Sequence, residues 1–305
     1  MHDGQSTVLR KLRRGGSLYL FLLPALCYYL LFCYVPMYGL QIAFKNFMPA
    51  KGIAGSAWVG LANFQRFVSS HSFATIVGNT LSISLTTLIL GFPAPLLFAL
   101  ALNEIHHKRF KSVVQTVSYA PHFISVVVMV SMITMFLNED YGVITRLAMA
   151  FGGEQANYLT HADKFVAIYV LSGIWQGLGW GSIIYLAALT GIDPCLHEAA
   201  MIDGASRWQR IWHINLSGIM PTIVTMLILR CGNLMSVGYE KAFLMQNPLN
   251  LPASEIISTY VYKYGLQQFQ YSFSSAVGLF NNIINCILLV MVNTAARKMG
   301  ESGIF

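Results

Sequence analysis

The residues most able to do chemistry lie in the segment EAAMIDGASRWQRIWHINL at 198–216, which separates two long apolar runs. It holds the carboxylates of Glu198 and Asp203 and the guanidinium groups of Arg207 and Arg210. General acid–base or metal chemistry would need a nucleophile or a cluster of metal-ligating side chains beside these carboxylates. Neither accompanies them, so the sequence predicts no catalytic residue and no metal site.

Local signals in the same region predict a short helix that is rich in small residues. Asp193 is a favoured N-cap residue, and Pro194 suits the first helical position. Glu198 then falls in the first turns, where the helix dipole tolerates a negative charge, and Gly204 is expected to end or bend the helix. Small side chains would let another surface approach the backbone closely. Those in this run are Ala199, Ala200, Gly204 and Ala205.

The continuation at 206–216 has an amphipathic pattern that suits the membrane surface. The pattern sets Trp208, Ile211, Trp212 and Ile214 against Arg207, Arg210 and His213. Physical reasoning alone leaves two interpretations of 198–216 open. It is either a docking surface for another protein or an ordinary connector that touches lipid headgroups.

A second group of polar residues follows or interrupts the apolar runs. Arg230, predicted to be the only charge well inside a span, is costly there and would face the bundle interior. With Asn233 one turn on, it could line a permeation path and bind a sugar hydroxyl or a uronate carboxylate. The alternative is a structural arginine that snorkels or pairs with helix carbonyls. The adjacent Glu240 and Lys241 indicate a solvated edge.

Aromatic and amide side chains in two other runs are further candidates for the pathway. Aromatic faces and amide donors suit sugar binding, but tryptophan also anchors helices at the interface. Glycines at 173, 177 and 181 indicate helix packing, and for the asparagines interhelical hydrogen bonds are the favoured interpretation. The candidates are Trp175, Gln176, Trp180, Tyr185, Asn281, Asn282 and Asn285.

Long apolar runs supply the elements that must position these residues. Only 10% of the 305 residues are charged, whereas soluble domains carry roughly 25%. Runs of roughly 20 apolar residues can cross a bilayer, so the sequence predicts an all-α integral membrane protein with six transmembrane helices. Their predicted bounds are Leu18–Gln41, Asn79–Leu102, Phe123–Leu137, Phe165–Leu186, Ile219–Val237 and Ala276–Thr294.

The distribution of lysine and arginine predicts the orientation of these helices. The two tails and the loops at 103–118 and 188–218 together hold eleven basic residues, while the three opposite loops hold seven. By the positive-inside rule, both termini and the 188–218 loop lie in the cytoplasm. The predicted division is a cytoplasmic tail at 1–17, a first helix and outer loop at 18–78, a five-helix core at 79–294 and a cytoplasmic tail at 295–305.

Several function classes lack the residues that they need. The net charge of +7 comes from basic residues scattered among loops, without the stripe typical of nucleic-acid binding. No lysine follows a glycine, so the phosphate-binding motif G-x-x-x-x-G-K-[ST] is absent and the chain is not predicted to be an enzyme. An ion-coupled transporter would need ionisable residues near the bilayer midplane, where Arg230 is almost alone. The five cysteines include no C-x-x-C pair, which argues against a zinc site or a disulfide framework.

The spacing in EAAMIDGASRWQRIWHI, at 198–214, resembles the EAA loop of binding-protein-dependent ABC importer permeases. The fuller form is similar to that of carbohydrate permeases, in particular the LplB-like branch that includes permeases for alginate and rhamnogalacturonan-type oligosaccharides. One departure is Ser217, where the family usually has a proline, so the end of the loop differs. Further similar segments are LFLLPALCYYLLFCYVPMYGLQIAFKNF at 20–47, SYAPHFISVVV at 118–128, LRCGNLMSVGYEKAFLMQNP at 229–248, STYVYKYG at 258–265 and YSFSSAVGLFNNIIN at 271–285.

This resemblance implies a type I ABC importer permease whose core is 79–294, in the cytoplasmic membrane of a bacterium. In such permeases the EAA loop docks into a groove of an ATPase subunit. The contact residues implied here are Glu198, Ala199, Ala200, Asp203, Gly204 and Ala205. The implied partners are a second homologous permease, two ATPase subunits that bind ATP and magnesium, and an extracytoplasmic solute-binding protein; no cofactor is implied on this chain. The implied activity is import of a carbohydrate by alternating access, with a non-sugar solute as the alternative.

Overall fold

The computed structural model describes residues 16–298, and most of them are helical. Ten helices form the main body. Their bounds are α1 Gly16–Tyr29, α2 Phe73–Gly91, α3 Pro93–Asn103, α4 Lys108–Tyr119, α5 Val126–Phe136, α6 Ala162–Thr190, α7 Pro194–Ile202, α8 Met220–Cys231, α9 Tyr239–Met245 and α10 Tyr271–Lys298.

Short helical segments and one ribbon connect these helices. The ribbon pairs β1 (Lys45–Asn46) with β2 (Ala57–Trp58) in antiparallel register. The short segments are Leu30–Tyr34, Val35–Met37, Tyr38–Phe44, Pro49–Lys51, Gly52–Gly55, Ala62–Val68, Ala120–Phe123, Val143–Ala150, Tyr158–Thr160, Arg207–Arg210, Ile211–Leu216, Leu251–Ser254, Ile257–Tyr262 and Lys263–Gln267.

Four helical segments within residues 16–298 are long and apolar enough to cross a membrane, and two bent pairs raise the number to six if each pair is one span. The four are Tyr19–Phe44, Phe73–Asn103, Ala162–Thr190 and Tyr271–Lys298. The bent pairs are Lys108–Phe123 with Val126–Phe136, at 100°, and Arg207–Leu216 with Met220–Cys231, at 63°. The predicted helical, membrane-spanning class is thereby confirmed. Residues 1–15, with the basic run at 10–14, and residues 299–305 lie outside the described part of the chain.

The second span is longer than predicted. It runs from Phe73 to Asn103 and not from Asn79 to Leu102. Pro93 begins α3 because proline has no N–H for the helical ladder. The preceding residue, Phe92, keeps helical backbone angles, so α2 and α3 continue as one span.

The predicted third span, Phe123–Leu137, is wrong at its first residues. Helix α5 has only 11 residues, about 16 Å at 1.5 Å per residue, which alone is too short for a hydrocarbon core of about 30 Å. The Ser125 hydroxyl accepts a hydrogen bond from the N–H of Val128 and starts a new helix there. Amphipathic α4 therefore meets α5 at a sharp bend.

The predicted fifth span, Ile219–Val237, is wrong at its last residues, because α8 ends at Cys231. After Gly232 the chain leaves the helix, and the Asn285 side chain of α10 accepts a hydrogen bond from the N–H of Met235 at 2.8 Å. Asn285 also donates to the Ser236 hydroxyl at 2.9 Å. These bonds satisfy groups that the helix would otherwise have paired. The partner lies some fifty residues away in sequence, so the run at 219–237 alone could not indicate the break.

Helix α6 is central to the bundle and packs against α2, α3 and α4. A Cβ on Gly179 would collide with the backbone carbonyl of Ser118 in α4, and one on Gly181 would lie 3.1 Å from Pro95 in α3. Gly177 has no heavy atom that its Cβ would meet within 4 Å. Close helix packing therefore explains Gly181, as predicted, but it depends most on Gly179.

Buried apolar side chains form three clusters around this framework. They centre on Phe165 and Met245, on Leu102 and Ile219, and on Phe67 and Phe273. The segment Tyr19–Phe44 packs least: its side chains are largely exposed until Tyr38–Phe44, which contacts α10. Lipid solvates apolar side chains as well as a protein interior does, so this exposure is expected of a membrane-spanning helix.

Candidate functional site

Helix α7 begins where the sequence predicts. The Asp193 carboxylate accepts a hydrogen bond from the N–H of Cys195 at 2.9 Å, and Pro194 lies in the first turn. An acceptor at the N-cap satisfies one of the helix's free N–H groups, and proline lacks the N–H that would remain unpaired there. These two residues fix the start of the helix that carries Glu198.

The same helix ends at Ile202, and Gly204, two residues further on, terminates it as predicted. Gly204 has a φ of +78°, a conformation that costs other residues free energy. The N–H of Ala205 donates to the carbonyl oxygen of Ala200 at 2.8 Å, and the N–H of Gly204 donates to that of Met201 at 3.1 Å. This pair of bonds is the Schellman arrangement of a helix C-terminus.

The predicted contact residues lie on a surface that the described chain leaves open. Glu198, Ala199, Asp203 and Gly204 are exposed, while Ala200 and Ala205 are half-buried. Nothing lies within 4 Å of a Cβ built on Gly204. Ile202, beside them, is 87% exposed, and within residues 19–298 Glu198 has no ion pair. A short, doubly capped helix with an apolar and acidic exposed surface is suited to docking.

The segment at 206–216, which follows α7, differs from the predicted amphipathic pattern. A capping box begins it: the N–H of Ser206 donates to the side-chain oxygen of Gln209 at 2.7 Å. The four apolar residues do not share one environment: Ile211 and Ile214 are half-buried, whereas Trp208 is 80% and Trp212 is 67% exposed. Arg210 is half-buried as well. The segment Ile211–Leu216 is a wide π-helical turn, so its residues do not follow the regular period of about 3.6 residues per turn.

Two adjoining cavities lie between α2, α6 and the chain that follows α8. The first, of about 260 Å³, has Ser84, Thr87, Tyr169, Arg230 and Asn233 among its lining residues. The second, of about 220 Å³, has Thr87, Tyr169, Gln176, Arg230 and Lys241 among its lining residues. The structure therefore places three of the predicted pathway residues, Gln176, Arg230 and Asn233, on two cavities that share some of their lining residues.

Arg230 lies in the last turn of α8, so the prediction that it is well inside a span is wrong. The helix ends early because Asn285 holds the unwound chain, and a cation at a helix C-terminus interacts favourably with the dipole. Its side chain is exposed and borders both cavities. Asn233 is beyond the helix and donates from its amide to the carbonyl of Leu229 at 3.2 Å.

Lys241 contradicts the predicted solvated edge. Its side chain is 8% exposed; Nζ donates to the carbonyl oxygen of Tyr169 at 2.7 Å and lies 4.4 Å from the centre of the Tyr169 ring. Helix α9 faces inward here, since Ala242 and Met245 are also buried. Lys241 lies outside the candidate spans, and burial lowers its pKa to about 8 because desolvation penalises the ammonium form. Only Glu240 of the pair is exposed.

The remaining candidates of α6 are not all on the cavities. Gln176 donates to the carbonyl oxygen of Ile124 at 2.9 Å and lines the second cavity. Trp175 is about half exposed, and the Trp180 ring stacks on His122 with a centroid distance of 4.5 Å. Tyr185 is 3% exposed and belongs to an apolar cluster, so its ring supports packing.

The asparagines of α10 have separate environments. Asn285 makes the interhelical hydrogen bonds that the sequence favours. Asn281 is half-buried, and within the described residues its side-chain oxygen has no partner. Asn282 is exposed. None of the three lines the two cavities.

The sequence does not indicate five polar residues that line these cavities: Ser84, Thr87, Tyr169, Ser236 and Lys241. Ser84 is one hydroxyl in an apolar helix, and Tyr169 reads as an ordinary helix residue. Lys241 carries a weak signal, because the apolar residues AFLM follow it directly and a lysine is rarely found in buried surroundings. Its position against Tyr169 depends on a contact between residues 72 apart in sequence.

Membrane-spanning helices around a polar-lined cavity, together with an exposed capped helix, define a membrane transport subunit. The family described as "Binding-protein-dependent transport system inner membrane component" matches residues 91–300, more than half of the chain. The chain belongs to this family, whose members are transport components and not catalytic enzymes.

Individual relatives extend the similarity over nearly the whole chain. The permease protein YteP of a Bacillus subtilis (strain 168) polygalacturonan/rhamnogalacturonan transport system is 45% identical, covering 99% of this chain and 94% of that protein. Protein LplB of the same organism is 43% identical, covering 96% and 92%. A chain of a bacterial alginate ABC transporter, solved with its alginate pentasaccharide-bound periplasmic protein, has 37% identity and a TM-score of 0.89, covering 97% and 99%. The resemblance to LplB-like ABC permeases is confirmed.

Proposed function

We propose that this chain is the permease subunit of an ATP-driven ABC importer that carries an oligosaccharide across the bacterial cytoplasmic membrane. The observation that carries the proposal is 45% identity to YteP over almost the full length of both chains. The likeness to the alginate transporter chain supports the same substrate class. A loaded binding protein delivers the saccharide, and the permease receives it.

The proposed topology has six spans, with both termini in the cytoplasm. The tails are 1–17 and 295–305, the first helix and outer loop occupy 18–78, and the permease core is 79–294 with its cytoplasmic loop at 188–218. The two bent helix pairs support this count when each is one span. The basic residues of α4, from Lys108 to Lys111, then lie on the cytoplasmic side.

The proposed coupling element is α7 with its C-terminal turn. It inserts into an ATPase subunit, with Glu198 as the anchoring carboxylate and Ala199, Ala200, Asp203, Gly204 and Ala205 forming the close contact. The exposure of this surface supports that role. ATP and magnesium are held by two ATPase subunits, and a second homologous permease completes a heterodimeric pathway.

Transport proceeds by alternating access. ATP binding closes the ATPase dimer, α7 follows that closure, and the cavity opens outward to receive the saccharide. Arg230, Asn233 and Gln176 line the path inside this subunit, with Trp175 and Trp180 as exposed aromatic surfaces on the same helix as Gln176.

Uptake by proteoliposomes tests the proposal. The chain would be reconstituted with its permease, ATPase and binding-protein partners and supplied with labelled oligosaccharides, amino acids and monosaccharides. We expect oligosaccharide uptake that requires internal ATP and persists when ion gradients are dissipated. Uptake of another solute class alone would reject the substrate, and uptake driven by an ion gradient without ATP would reject the ABC mechanism.

A further inference from the structure

We propose that Lys241 is a specificity-determining residue that binds the carboxylate of an acidic sugar unit, with Arg230 as the second cation of the site. This inference rests on the proposed function and narrows its substrate to uronate-containing saccharides. The two residues line the same cavity.

Lys241 is a buried cation without a counter-ion. Its side chain is 8% exposed, and the ion pairs present among residues 19–298 join Lys164 to Asp163 and Lys263 to Glu255. An ammonium group has three donors, and the carbonyl of Tyr169 takes one of them. Burying a charge is costly unless it is paired and hydrogen-bonded. The free donors therefore suit an anionic acceptor that arrives from the cavity.

The lining of the cavities has the charge that such an acceptor needs. Arg230 borders both, and neither cavity has an aspartate or glutamate among its lining residues. A planar guanidinium can bind a carboxylate through two parallel hydrogen bonds. Arg230 is exposed, and within the described chain it forms no ion pair.

The first cavity has hydroxyl-bearing side chains among its lining residues: Ser84, Thr87 and Ser236. Hydroxyl groups donate and accept hydrogen bonds, as sugar hydroxyls do. The two cavities share Thr87, Tyr169 and Arg230, so a saccharide that places its carboxylate beside the cations has hydroxyl partners in the adjoining cavity.

Substitutions at Lys241 separate the charge from the structural contact. Lys241→Gln keeps a donor for the Tyr169 carbonyl but removes the charge, and Lys241→Arg restores the charge. Arg230→Gln is the second variant, and Lys164→Gln, at an exposed surface pair, is the matched control. Each would be assembled with its partners in proteoliposomes. Thermal unfolding in detergent checks that every variant is folded.

Uptake of an oligogalacturonate and of its carboxyl-reduced, neutral counterpart would be measured side by side. We expect Lys241→Gln and Arg230→Gln to lower uptake of the acidic saccharide by roughly tenfold or more, or about 1.4 kcal/mol, because hydrogen bonds between charged groups are stronger than neutral ones. Uptake of the neutral saccharide should fall much less, so the ratio of acidic to neutral uptake falls. Lys241→Arg should restore most of that ratio.

The outcomes distinguish this inference from the function on which it rests. If folded Lys241→Gln and Arg230→Gln transport the acidic saccharide as well as the unmodified protein does, the inference is overturned and the function stands. An equal loss for both saccharides assigns Lys241 a structural role and also overturns it. If the unmodified protein takes up neither saccharide, the proposed function fails with it.

Discussion

The hydrogen bonds of Asn285 decide where a transmembrane helix ends. One side chain of α10 accepts from the N–H of Met235 and donates to the hydroxyl of Ser236. It therefore replaces the helical bond that Met235 would have made and holds the unwound segment after α8, which presents Asn233 to the first cavity. A single amide thus links the packing of two helices to the shape of the pathway.

Asn285→Ala should destabilise the folded protein. The change leaves the N–H of Met235 buried and unpaired, which costs about 1–3 kcal/mol. Thermal unfolding in detergent should show a midpoint several degrees lower than that of the unmodified chain. Asn282→Ala is the matched control, because Asn282 is exposed on the same helix. Equal midpoints for both variants would contradict the structural role of Asn285.

Lys241 shows how a residue's environment overrides its usual preference. Beside an exposed Glu240, a lysine ordinarily lies at a solvated surface. Here its neighbours Ala242 and Met245 turn α9 toward the core, and Gly173 leaves space for Nζ, which lies 3.2 Å from where a Cβ would be. A glycine, a backbone carbonyl and an aromatic ring together admit the charge.

Among the elements, α7 was predictable because its signals are local. Asp193, Pro194 and Gly204 each act within a few residues of their own position, and all three behave as their types predict. The π-helical turn at 211–216 is not predictable in this way, because no residue type within it marks a change of helical period. Nor are the bend before α5 and the end of α8, which depend on a cap and on a distant asparagine.

The packing of α6 shows the same limit. The four-residue spacing of Gly173, Gly177 and Gly181 indicates helix packing. The glycine that approaches another backbone most closely, however, is Gly179, which is not part of that spacing. Sequence spacing indicates that small residues face a neighbour. It does not indicate which of them meets Ser118, because that depends on where α4 ends and bends toward α5.

If α7 is the coupling element, changing its exposed surface should separate ATP hydrolysis from transport. Glu198→Lys reverses the carboxylate proposed to anchor an ATPase subunit, and Gly204→Asp adds bulk where nothing else lies within 4 Å. We expect saccharide uptake to fall by at least roughly tenfold, a loss of about 1.4 kcal/mol or more in coupling, while the permease remains folded.

The measurement is uptake per ATP hydrolysed in proteoliposomes. Glu154→Lys reverses an exposed charge in the segment between α5 and α6. It serves as the control and should leave uptake per ATP hydrolysed unchanged. Unchanged uptake in both α7 variants would count against the coupling role. Gly204→Asp alone is less decisive, because a residue other than glycine is strained at a positive φ.

At the scale of the whole molecule, the chain exposes an apolar surface that requires a membrane around it. Many large apolar side chains are exposed along Tyr19–Phe44 and on the outward faces of α2, α5 and α10, as lipid contact allows. Composition alone indicated this class, because a chain with 10% charged residues cannot cover a soluble surface. The identity of the substrate could not follow from composition. In the proposed function, it depends on a few polar side chains that the fold brings together.

The proposed coupling of saccharide delivery to ATP hydrolysis is tested most directly by measuring ATP hydrolysis in the assembled transporter, with and without solute-loaded binding protein. If α7 couples the outer face of the permease to ATPase subunits as proposed, binding protein loaded with oligosaccharide should stimulate hydrolysis severalfold. Unloaded binding protein should stimulate weakly, and Glu198→Lys should remove the response. No stimulation by any saccharide, together with a response to another class of solute, would contradict the proposed oligosaccharide import.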